Sequence, residues 1–174
     1  MKKIHYSALL AAGLLFFVLL LSSQAQSRAT VPQGVSSLSG LKGVGVVIED
    51  IDPAIEREGF TAVQIQKDVE EKLRTAGIKI LSEAELTKSP GMPYLYVNIF
   101  TFKDEEIYSY HITLELKQMV SLVRKPAVKQ SVATWKISGG GTVGAQKLAT
   151  IRTAVGEYIN AFIKAYFAAN PKTP

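Results

Sequence analysis

The chain contains no cysteine in its 174 residues. That absence excludes a disulfide scaffold, a thiolate zinc site, a cysteine nucleophile and a lipid anchor attached through cysteine. Histidine is scarce too, with only His5 and His111, so a catalytic triad or a multi-histidine metal centre has little to draw on. Charge of either sign is in short surplus: 20 Lys and Arg stand against 15 Asp and Glu, a formal +5. What is plentiful is apolar material, 47% of residues, which separates the chain from disordered sequences and suffices for one core. Two domains of this total length would each be unusually small.

Residues 1–25 read as a signal peptide. Lys2 and Lys3 form a basic start, and Ala8 to Leu21 is a run of 14 residues without a polar side chain. A membrane-spanning helix needs ~20. Ser23 and Ala25 supply the small residues of a cleavage site after Ala25, with a second possible cut after Ser27. The mature protein is therefore expected in the periplasm or outside the cell, and an uncleaved signal is its one expected membrane contact. Without Lys2 and Lys3, 18 basic residues face 15 acidic ones, a difference of +3. Most cations lie beside acids along helices, so nucleic acid is not an expected partner.

Residues 26–40 are rich in Ser, Gly, Pro and Gln and read as a flexible arm. A single domain follows over 41–170. Val44 and Val46–Ile48 form a β-branched run expected as a strand buried on both faces or central in a sheet. Thr61 and Gln64 have capping-box spacing, and Ile65, Val69 and Leu73 recur every four residues until Gly77, which marks a helix and its stop. Ile78–Leu81 reads as a second strand. From Tyr94 the period changes to two. Leu95, Val97 and Ile99 make one apolar face, and Tyr108 to Leu116 repeat the pattern beyond a charged turn at 103–106. A hairpin closed by that turn pairs Leu95 with Leu114 and Val97 with Ile112. A further strand surrounds Trp135, and a last helix from about Ala145 to Ala169 carries Leu148, Ile151, Val155, Ile159, Phe162 and Tyr166 on one stripe. The expected fold is an α/β (α+β) two-layer sandwich. Its mixed sheet has about five strands, a β-α-β unit followed by an antiparallel meander, with a long C-terminal helix.

Several motifs invite chemistry. Gly139 to Gly144 match G-x-G-x-x-G, yet no parallel strand with an acidic end follows, so a strand-to-helix connection is the better reading and no cofactor is expected. His111, and the acids Glu49, Asp50 and Asp52, lack the partners a hydrolase or a metal site requires. Neither catalytic nor metal-binding residues are assigned. Arg124, Lys125 and Lys129 gather at one turn, where a solvated edge is the default.

The unusual feature is the second face of the sheet. Tyr94, Tyr96, Phe100 and Phe102 alternate away from the core set, and a hairpin register that places Met119 opposite Trp135 adds Trp135 to them. An aromatic face opposite the helices suggests a partner surface. The expected function is a non-enzymatic binding module using these five residues, with an envelope protein or a second copy as partner. A carrier of a small apolar ligand or lipid and, less favoured, a hydrolase are the alternatives.

The order of elements over residues 43–169 resembles the small α/β accessory domains of bacterial envelope proteins. The amino-terminal domain of the Tol translocation protein and lipoproteins of the curli-secretion type are of this kind. It is also similar to many short secreted bacterial proteins with no assigned role. The resemblance implies binding to other envelope components and carries over no site residue; the lipid-attachment cysteine of the lipoproteins has no counterpart here.

Overall fold

A computed structural model describes residues 34–144 and 147–171. The signal peptide at 1–25, the arm up to residue 33 and the expected first turn of the last helix at 145–146 lie outside the described residues. The order is β1 (Gly45–Ile48), α1 (Pro53–Arg57), α2 (Ala62–Thr75), α3 (Glu83–Leu86), β2 (Tyr94–Asp104), β3 (Ile107–Leu122), β4 (Lys125–Gly144) and α4 (Ala149–Ala169). The four strands lie in sequence order, β1 parallel to β2 and the rest antiparallel. This is the mixed two-layer α/β architecture expected, with four strands in place of five. Ile78–Leu81 contributes only a single bridge from Ile80 to Val44, because Leu81 passes directly to the Ser82 cap of α3.

Local chemistry sets the helix ends. Thr61 Oγ1 accepts from Gln64 N, and Gly77 at φ 82° closes α2 with Ile78 N donating to Leu73 O, the left-handed stop that glycine permits. The box at Ser82 and Glu85 is complete in both directions. There the Lys79 ammonium, followed by Ser82, pulls the Glu85 carboxyl down to about 2.

One face of the sheet carries Leu95, Val97, Ile99, Ile112, Leu114, Leu116, Trp135 and Ile137 into the core. Ile65, Val69 and Leu73 of α2 and the full expected stripe of α4 close over it. Each such side chain contributes about 1.5–3 kcal/mol when fully buried. The arm expected over 26–40 is packed from Gly34 onward: Val35–Leu38 form a 3-10 turn whose Leu38 is buried, and Asn170 Nδ2 donates to Leu38 O at 2.8 Å.

Three registers depart from expectation. The β2–β3 turn has two residues, Glu105 and Glu106, and sets Leu95 against Leu116 and Val97 against Leu114. A shift of two residues preserves every face, so the core set is unchanged. Strand β4 is longer than the expected segment around Trp135. It begins at Lys125, directly after the Val123-Arg124 turn, and runs through the glycines to Gly144. The glycine cluster is therefore a paired strand and not a connection: Gly139 opposes Ile112 and Gly141 opposes Tyr110. Finally, β1 is an edge strand of the four, and the expectation of a fully covered strand fails at Val47, which is exposed.

Candidate functional site

The even-numbered residues of β2 and the odd-numbered residues of β3 share the face opposite α2 and α4, which α3 reaches only at one end, where Leu86 packs over Gly45 beside Tyr94. Parallel pairing of Val47 with Tyr96 adds Val47 to it. The face divides into two halves of different character.

Its polar half surrounds Tyr94 and Tyr96, both half-buried. Lys117 Nζ sits 3.7 Å from the centroid of the Tyr96 ring, an attraction between ammonium and π-cloud. Glu115 bridges Lys117 at 3.7 Å and Lys136 at 3.1 Å, tying β3 to β4. Tyr94 Oη lies 3.4 Å from Ser131 Oγ, and Asn98 Nδ2 donates to Glu49 Oε2 at 2.9 Å. Tyr96 is thus already engaged within its own sheet.

The apolar half lies toward the β2–β3 turn. Phe100 is 63% exposed, Phe102 60% and Ile107 52%. Phe100 opposes His111 across the ladder, and Phe102 opposes Ser109. His111, which opposes Phe100, is exposed beside them.

Of the five expected site residues, the structure brings Tyr94, Tyr96, Phe100 and Phe102 to one face and sends Trp135 to the other. Trp135 opposes Leu116, not Met119, and is buried against Phe162 of α4 with ring centroids 5.3 Å apart. The cause is an irregularity in the ladder. Leu116 pairs with Trp135 and Lys117 with Ala133, so Thr134 is an extra residue held by Gln118 Nε2 at 2.7 Å and by its own bond to Leu116 O. A bulge of this kind re-aims the side chains around it. Val47 and Ile107 were missed. Extending the two-residue period of β3 back by one position places Ile107 with Ser109 and His111, and so carries the signal for it.

The other candidate groups have local work. Asp52 Oδ1 accepts from Ala54 N at 2.7 Å and caps α1, and Glu49 holds Asn98. Among the described residues no group of three His, Asp or Glu side chains is placed to hold a metal ion. The strongest polar cluster is one that sequence did not single out. Tyr108 Oη donates to Glu58 Oε1 at 2.5 Å, and Lys103 Nζ lies 3.0 Å from the same carboxylate. The Tyr108 and Lys103 hydrogen bonds hold the Glu58 carboxyl below its ordinary value. Burial and the neighbouring carboxylate push the Tyr108 hydroxyl up. Through its Oε1, which accepts from both donors, this carboxylate clamps the end of α1 to β2 and β3.

An open groove of about 700 Å³ runs between α2 and α4, bridged by Arg152 and Asp68 at 2.7 Å. Between the sheet and α4 the space is filled by Trp135, Phe162 and their neighbours. Among the described residues no helix is long and apolar enough to cross a membrane.

No protein-family model, curated protein or solved structure matches the chain.

Proposed function

We propose that the protein is a non-enzymatic interaction module of the bacterial cell envelope, working in the periplasm or outside the cell, that docks a protein partner on the open face of its sheet. The observation that carries this reading is the exposure of Phe100, Phe102 and Ile107 side by side on the sheet face opposite α2 and α4. Keeping such a patch in water forgoes burial free energy that the fold could otherwise gain. A second copy of the chain and another envelope protein both fit the patch. The filled space beneath α4 counts against the carrier reading.

Replacing Phe100 and Phe102 together by serine tests this. Both side chains lie outside the core, so thermal unfolding is expected to stay within a few degrees of the parent. Self-association in sedimentation, or crosslinked capture of a partner from the native envelope, is expected to disappear. Association of the double variant equal to that of the parent in both measurements overturns the proposal.

A further inference from the structure

The β3–β4 arm carries an unpaired basic and apolar tip. Strand β2 enters the sheet at Tyr94, opposite Lys117, and Met119 N makes the last bond outward, to Gly91 O. Beyond Met119, β3 has only β4 as a neighbour among the described residues, and the two strands run on to the Val123-Arg124 turn. At that turn Val123 is 98% exposed, and Val128 follows at 36%. Turns of this length favour Gly, Asn and Asp, so a valine at full exposure is not demanded by the fold. Arg124, Lys125 and Lys129 surround it, all exposed. None of the three is in a salt bridge among the described residues, whereas Lys117 and Lys136 at the base of the arm both use Glu115. The imbalance extends along the chain: from Leu116 to Gly156 there are seven basic residues and no acidic one.

We infer that the tip of this arm docks on an anionic lipid surface. The basic side chains pair with headgroup phosphates while Val123 enters the boundary between headgroups and acyl chains. Lysine and arginine near such a surface gain from its negative potential, and an apolar tip gains from leaving water. Two features of the arm favour a bilayer over other polyanions. It has no Phe, Tyr or Trp between Tyr110 and Trp135, so it lacks the stacking platform by which single-stranded nucleic acid is held. Its apolar side chain also projects from a convex tip, where a bilayer can receive it and a flat acidic protein surface cannot.

The absence of cysteine permits a site-specific test on the full chain. A Val123→Cys variant carries one polarity-sensitive fluorophore, and Thr153→Cys, on the outer side of α4, carries the control. With vesicles of phosphatidylcholine containing one third phosphatidylglycerol, the Val123 label is expected to shift to the blue and the Thr153 label to stay unchanged. Added salt is expected to reverse the shift. Combining Arg124→Gln, Lys125→Gln and Lys129→Gln is expected to raise the lipid concentration for half-maximal shift roughly 100-fold, since each surface cation contributes several-fold. Arg124→Lys alone is expected to leave it unchanged. Unaltered Trp135 fluorescence reports that the variants are folded. No shift at Val123, an equal shift on phosphatidylcholine alone, or a shift produced by single-stranded DNA or polyglutamate instead of vesicles overturns the inference.

Discussion

Gly140 shows how narrowly one position is constrained. A Cβ built there lies 2.2 Å from Tyr110 O, which is backbone and has nowhere to go. At Gly141 the nearest atom is Tyr110 Oη at 3.1 Å, the end of a side chain that can swing away. Gly140→Ala is therefore expected to destabilise the protein by about 1–3 kcal/mol and Gly141→Ala by clearly less, read from urea unfolding midpoints. The sequence showed these glycines in G-x-G-x-x-G spacing and suggested a strand-to-helix connection. Their spacing was legible, but their reason was not, because it lies in a strand more than twenty residues earlier. Trp135 teaches the same lesson: its identity marked an important position, yet which face it served depended on one extra residue at Thr134.

At the scale of elements, the β2–β3 hairpin is the best example of pattern deciding structure. Alternation over two strands defined the core face so firmly that a register error of two residues did not move a single side chain across the sheet. What alternation could not locate was the turn. Four consecutive charged residues gave no glycine to mark it, and the chain turns at Glu105 with φ 49°. A residue other than glycine is strained at positive φ. Glu105→Gly is accordingly expected to stabilise the fold by roughly 0.5–1 kcal/mol, seen as a higher thermal midpoint. The long helices were equally legible, since their stripes and caps are local. The strand expected at 78–81 was not, because four apolar-rich residues form a ladder only when a neighbour has room for them.

Across the whole molecule, the Glu58 clamp joins the end of α1 to the sheet through Tyr108 and Lys103. Its pH dependence has a definite sign. In the folded state the Glu58 carboxyl is held below its ordinary value near 4.5, so in that window the unfolded chain binds more protons and stability rises with pH. The contribution is complete above about 4.5 and is lost as pH falls through the lowered folded value. Glu58→Gln is expected to flatten this part of the stability-against-pH curve, measured by denaturant unfolding at a series of acid pH values. A variant that retains the parent slope would show that the clamp does not couple the layers. At every pH the shared apolar core holds the two layers, and above this range the clamp adds to it in full.

The sequence by itself determined the class of fold, the two long helices and the apolar stripes of β2 and β3. These follow from periodicity and capping, which act over a few residues. It also placed Phe100 and Phe102 opposite the core, because alternation is local. Only the tertiary structure decided that Trp135 belongs to the core and that Val47 and Ile107 join the exposed patch. It alone revealed the bond from Glu58 to Tyr108 and the ladder pairing of the glycines. Each of these depends on register or contact between distant segments, and that is set by packing the whole chain at once.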